Sequence, residues 1–244
     1  MSAVTALMQE RHSDRTPFDP DRPIAPAALR QILEGAQWAP TAHNMQNFDI
    51  VVIDDKDLLA RVGAISSPTS ELFIRENLAQ LSFSEEELRR KKVGILAAQF
   101  PESWRTPGAD FAAVARNSPP SYLRDTMKGS PAVLVVAYDA CKRAPASVGD
   151  VLGFMSLGCA MENMWLVAQS LGIGMQIMSV FGGEHVEQEL RDLLALPAQL
   201  KVAVALRLGY PLAAGVSTVR VRREPEDFVH HNRFGTRLPA GNEW

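Results

Sequence analysis

The sequence predicts a single domain in which helices alternate with a few short, strongly apolar strands. Three observations carry that reading. Residues 49–54, 132–138, 175–180 and 201–208 are short runs rich in Val, Ile, Leu and Met, bounded by Pro, Gly or Asp. The segments between several of them carry helical periodicity, the longest over residues 150–171. No internal repeat, low-complexity tract or interdomain linker interrupts the 244 residues, so one domain spanning 1–244 is expected.

Composition narrows the function classes. Hydrophobic residues make up 46% and charged residues 22%, as in an ordinary globular protein, so a sizeable core needs no metal or disulfide staple. A net charge of −3 gives no reason to expect nucleic acid or an anionic membrane as partner. Any anion site must then be local, built from a few arginines. Cys141 and Cys159 have no metal-site spacing and read as free thiols of a reducing compartment. Residues 1–10 lack a signal-peptide pattern. No apolar run approaches the ~20 residues of a spanning helix. A cytoplasmic protein with no membrane partner is expected.

Residues 4–11 have short helical periodicity and lead into Arg11-His12-Ser13-Asp14-Arg15. Two guanidinium groups four residues apart, with a hydroxyl between them, can converge on one anion; a solvated basic turn is the alternative. Asp14, the acid between them, is expected to point outward. Pro26 sits where proline prefers, in the first turn of a helix that runs to Trp38. Pro40 stops that helix. The loop that follows, Pro40-Thr41-Ala42-His43-Asn44-Met45-Gln46-Asn47-Phe48, is compact and polar. Asn44 and Gln46 each offer donor and acceptor groups, and rigid elements flank the loop on both sides, where ligand contacts concentrate; a capped helix–strand turn is the plain alternative. The strand at 49–54 is apolar on both faces and is expected inside a sheet.

A short helix at 57–62 is followed by helical patterns at 71–81 and 84–98, the second opened by a Ser84–Glu87 capping box. Residues 100–128, rich in Pro, aromatic and polar residues, read as an irregular segment, either a mobile lid or a partner-contacting excursion. The 150–171 helix is apolar on nearly all faces, which places it in a core or a subunit interface; Gly153, Gly158 and Ala160 would let another helix approach it. Gly172 closes it. A helix is expected at 184–194, and the tail at 217–244 lacks a core pattern of its own.

In this order the pieces resemble the FMN-dependent nitroreductase family. The resemblance rests on Arg11-His12-Ser13-Asp14-Arg15, on the loop from Ala39 to Phe48, on Leu171-Gly172-Ile173-Gly174, and on Gly209-Tyr210-Pro211 followed by the segment from Val221 to His230. It implies an α+β fold, a mixed sheet flanked by helices, assembled as an intertwined homodimer with two FMN molecules at the interface. It further implies that Arg11, Ser13 and Arg15, with His12 between them, hold the ribityl phosphate, and that Arg222 or Arg223 closes on it. Pro40, Thr41, Ala42, Asn44 and Gln46 would come from the other subunit toward the ring and ribityl chain. Main chain around Ser179, Val180 and Phe181 would face the ring. His43, Phe48, Trp104 and Tyr122 are the candidate substrate contacts, and residues 65–128 form a variable region that shapes the cavity. Asn47 and Phe48 stand where the family usually has proline and tryptophan.

The activity implied is a ping-pong transfer of hydride from NAD(P)H through FMN to a small acceptor such as a nitroaromatic or quinone. No Gly-x-Gly-x-x-Gly follows a strand, so the nicotinamide has no Rossmann site here. Two other readings keep the flavin: a specialised FMN-dependent dehydrogenase or oxidase of the same family, and a non-enzymatic flavin-binding protein.

Overall fold

The computed structural model describes residues 2–117, 121–145, 147–212 and 219–237, less the side chains of Ser121 and Tyr122. The chain forms two compact units, Met1–Ser67 with Pro120–Val216, and Pro68–Pro119 with Ser217–Trp244. The first opens with α1 (Ala3–Glu10), α2 (Pro26–Gln37), β1 (Phe48–Ile53) and α3 (Lys56–Gly63). The second contributes α4 (Glu71–Glu76), β2 (Ser82–Phe83), α5 (Glu85–Lys91), β3 (Ile95–Leu96), α6 (Glu102–Arg105) and α7 (Phe111–Asn117). The first resumes with α8 (Ser121–Lys128), β4 (Ala132–Asp139), α9 (Val151–Ser170), β5 (Gly174–Met178), α10 (Glu184–Leu193) and β6 (Leu200–Gly209), and α11 (Pro225–Phe228) falls in the second.

In the first unit the four strands pair antiparallel in the order β1-β4-β6-β5. Strand β4 is buried along nearly its whole length, and its side chains alternate between two cores. Ala132, Leu134 and Val136 pack with Ile32 and Ala36 of α2 and with Leu157, Ala160 and Met164 of α9. Val133 and Val135 pack on the other face with Leu59 and Val62 of α3, Leu123 and Met127 of α8, and Val186 and Leu190 of α10. The sheet is therefore covered by helices on both faces. Each fully buried Ile, Leu or Met contributes about 1.5–3 kcal/mol of hydrophobic stabilisation. Strand β1 is apolar on both faces because both cores reach it, but it lies at the sheet edge and pairs only with β4 among the described residues. The expectation of an interior strand is corrected: both cores reach this edge strand, but of its residues only Ile53 is fully buried, whereas β4 is buried along nearly its whole length.

Helix α9 is the axis of this unit. It is long and apolar enough, by length and composition, to cross a membrane, contrary to the expectation from run length. Here it is a core helix: Leu157, Ala160, Met164, Trp165 and Ala168 are buried against the sheet and α2. Its close neighbour is α2, where a Cβ on Gly35 would lie 3.1 Å from the Asn163 main chain. The Asn163 amide also donates to the Gly35 carbonyl at 3.1 Å. Its first turns differ, since Val151, Leu152, Phe154 and Met155 are exposed, and a Cβ on Gly158 would meet nothing within 4 Å.

In the second unit, the capping box forms as expected, with Ser84 and Glu87 bonding reciprocally. The hydrogen bond from the Ser84 main chain holds the Glu87 carboxyl below its ordinary pKa. The helix then stops at Lys91, shorter than the 84–98 pattern suggested. Lys92 takes φ +56° and Gly94 φ +98°, which turns the chain so that β3 pairs with β2. The Phe83 ring fills the space where a Gly94 side chain would stand. Residues 100–128 are also not irregular, since α6, α7 and α8 form within them. Pro101 sits at the N-cap of α6, a position that needs no N–H donor. Proline here starts a helix rather than breaking one.

Candidate functional site

The basic segment after α1 is a strap laid across the end of the sheet. The Trp165 indole donates to the His12 carbonyl at 3.1 Å, and the Asp14 amide donates to the Met175 carbonyl at 2.9 Å. Farther on, Phe18 bridges to Pro211 and lies over the paired glycines Gly174 and Gly209. Asp14 points inward and is 4% exposed, correcting the expected outward orientation. Its carboxylate accepts from the Thr16 amide at 3.0 Å and the Thr16 hydroxyl at 2.5 Å. The acid thus shapes the strap and leaves the outer face to cations.

On that outer face, Arg11 lies with its guanidinium 4.6 Å from the Trp165 ring and its Nε 3.2 Å from Glu162. Glu162, the one acid of α9, thereby finds a partner. Arg15 is exposed, and no acid among the described residues pairs with it. The Ser13 hydroxyl likewise makes no hydrogen bond among them. A half-shielded guanidinium, a hydroxyl and an exposed guanidinium within five residues match the donor requirements of a phosphate.

The second candidate element is the loop from Pro40 to Phe48. His43, Asn44 and Gln46 have φ values of +51°, +53° and +45°. Left-handed non-glycine residues cost about 1 kcal/mol or more each, and they persist where surrounding structure over-determines them, often at ligand sites. The restraints here are explicit. The Ala42 amide donates to Ser156 Oγ at 3.0 Å, and that hydroxyl donates to the Leu152 carbonyl at 2.7 Å. Thr41 Oγ1 accepts from the Gln46 amide at 3.2 Å, and the Gln46 side chain donates to Asn44 Oδ1 at 3.1 Å. Asn44, Gln46 and His43 remain exposed. Phe48 is half-buried and packs against the α2–α9 core, and Asn47 is 2% exposed.

The remaining candidates divide. Ser179 is exposed and Val180 half-buried, but the Phe181 ring is wholly buried in the core beneath α10, so only its main chain is available to a ligand. Trp104 stacks on Phe100 at 5.8 Å and meets Phe73 edge-on at 6.1 Å within the second unit. In that unit Arg222 and Arg223 are exposed, with Arg223 5.3 Å from the Phe228 ring. The Tyr122 side chain lies outside the described residues. Ser156, Trp165, Gln176 and Arg207 were not legible as site-forming from the sequence. The first two hold the loop and the strap on α9, and the last two lie beneath the strap. Buried polar residues in apolar elements are the only signal that marks them.

Strap and loop hang on the same helix but on different sides of it. Ser156 and Trp165 are nine positions apart, about 13 Å along α9 and about 180° around it.

Comparison with solved structures identifies the class first: an α+β protein of the nitroreductase fold. The putative NADH dehydrogenase/NAD(P)H nitroreductase of Parabacteroides distasonis superposes with a TM-score of 0.62 at 16% identity, covering 96% of this chain and 100% of that one. A putative nitroreductase from Desulfovibrio desulfuricans, solved in complex with FMN, gives a TM-score of 0.55 at 21% identity over 96% and 99% of the two chains. The profile of the Nitroreductase family matches residues 8–210, and the chain belongs to that family. Among curated relatives, the FMN reductase [NAD(P)H] of Bacillus subtilis is 25% identical over 218 residues. That alignment takes in 86% of this chain but only 66% of the relative's length.

Proposed function

We propose that this chain is an FMN-dependent oxidoreductase that uses NAD(P)H to reduce a small acceptor such as a nitroaromatic or a quinone. The observation that carries the reading is the strap, where Arg15 and the Ser13 hydroxyl have no partner among the described residues and Arg11 stands beside them. Family membership and the FMN-bound relative support it. When bound, FMN would supply the electron-transfer chemistry. Arg11, Ser13 and Arg15 would hold its phosphate. The Asn44 and Gln46 amides, fixed by Thr41 and Ser156, would orient the polar edge of the ring. His43 and Phe48 would bound the space for donor and acceptor.

The site we infer is shared between two copies of the chain. One protomer carries strap and loop on opposite sides of α9, and the exposed apolar turn of α9, Val151 to Met155, lies beside the loop's anchor Ser156. A second copy seated there would bury that apolar surface and bring one strap to the other's loop. Co-expression of an Arg11→Ala/Arg15→Ala chain with an Asn44→Leu chain tests this. Hybrid dimers would each regain one intact site, so roughly a quarter of all sites bind FMN with parental affinity in a random mixture. Mixed dimers with no intact sites would place strap and loop of one chain at the same flavin.

A further inference from the structure

Resting on the phosphate reading of the strap, we infer that Arg207 is a positioning residue for the phosphate-binding groups. It lies in β6, where an arginine is out of keeping with the apolar run around it, and is 5% exposed. A guanidinium so deeply buried requires compensation by hydrogen bonds and charge. Its Nε donates to Gln176 Oε1 at 2.6 Å, from the directly paired position on β5. Its Nη2 donates to the Thr16 carbonyl at 2.8 Å and to the Asp14 carbonyl at 3.3 Å. The Phe18 ring covers it at 4.1 Å. Asp14, the oppositely charged group of the strap, is buried as well.

The two carbonyls that Arg207 grips flank Arg15. The main chain on both sides of the exposed cation is therefore fixed from below, while its side chain faces out. Gln176 and Arg207 occupy the same sheet face as Gly174 and Gly209. The two glycines give the strap room, and the two polar side chains hold it. A guanidinium suits this task because its planar fork reaches Gln176 and both strap carbonyls at once; a lysine ammonium is a point charge on a flexible stem.

The test compares FMN with riboflavin, which lacks the phosphate, binding to apo-protein by fluorescence quenching. Parent, Arg207→Met and Arg207→Lys are measured, each checked for folding by circular dichroism. In Arg207→Met, FMN affinity falls about tenfold or more while riboflavin affinity stays within about twofold, the loss of roughly one charge-assisted hydrogen bond's worth of phosphate binding. Arg207→Lys recovers part of the preference for FMN. Equal losses for the two ligands, an undiminished preference in folded Arg207→Met, or full recovery with lysine would each overturn the assignment. If Arg207→Met does not fold, Arg207→Lys decides alone, an unreduced FMN preference being the contrary result. A parent that binds riboflavin as tightly as FMN would overturn the phosphate reading itself, and this inference with it.

Discussion

Replacing Arg11 and Arg15 together by alanine abolishes FMN retention through purification while leaving a folded protein. On the proposed reading each guanidinium would contribute a charge-assisted hydrogen bond or bidentate pair to the phosphate. Losing both costs about 3–4 kcal/mol, roughly a hundred- to a thousandfold in Kd. The strap should survive, because its path is set by contacts that neither side chain makes. Those are Trp165 to the His12 carbonyl, Asp14 to Met175, and Arg207 to Asp14 and Thr16. The two arginines are not equivalent. Arg15 is exposed and its loss should leave stability unchanged. Arg11 also lies on Trp165 and pairs with Glu162, so Arg11→Ala lowers the melting temperature slightly as well. Flavin content by absorbance after gel filtration, read beside the melting temperature, checks both effects. Retained flavin in the double variant would remove the phosphate assignment.

Gly209→Ala carries the largest expected penalty in stability. A Cβ there would stand 2.5 Å from the Phe18 ring and 2.6 Å from Phe18 Cβ. Rotating the ring relieves the first clash but not the second, so the strap's main chain must lift. It is held on both sides, by Asp19 to the Tyr210 carbonyl and by Leu212 to the Pro17 carbonyl. Overpacking of this kind costs about 3 kcal/mol, a drop of roughly 6–12 °C in melting temperature for a chain of this size. Because the same strap carries Arg11 and Arg15, FMN affinity falls with it. Gly174→Ala is milder: the atoms nearest its added Cβ are the Asp14 carboxylate, the rim of the Phe18 ring and the edge of Pro211, all ends of side chains. Thermal unfolding of the two variants side by side checks the order, and equal or negligible effects would refute the account of strap packing.

Much of this architecture was legible in the sequence because local rules and tertiary packing agree. Residues 132–138 and 201–208 form strands because their apolar β-branched runs are buried from both faces, and residues 150–171 form a helix whose stop at Gly172 takes φ +68°. The strap and the loop could be singled out because clustered arginines and a run of compact polar residues are unusual between apolar elements. What escaped depends on long-range contact. The orientation of Asp14 is fixed by Thr16 and Met175, and no local pattern reveals it. The early end of α5 follows from Phe83 packing where a Gly94 side chain would be. Arg207 falls within the 201–208 strand, and only the strap packed over it sets it apart from its neighbours. Proline at 101 and 107 suggested an irregular chain, yet α6 forms between them.

The proposed function requires that a flavin bound by these residues take electrons from a nicotinamide. It is tested most directly by the visible spectrum of the purified protein, followed by anaerobic addition of NADPH and, separately, NADH. The expected result is a yellow protein whose flavin absorbance bleaches rapidly with at least one donor and returns when a quinone or nitroaromatic is added. A flavin that stays oxidised with both donors would contradict the reductase and favour a dehydrogenase or storage protein on the same fold. A colourless protein that takes up no added FMN would contradict the site itself.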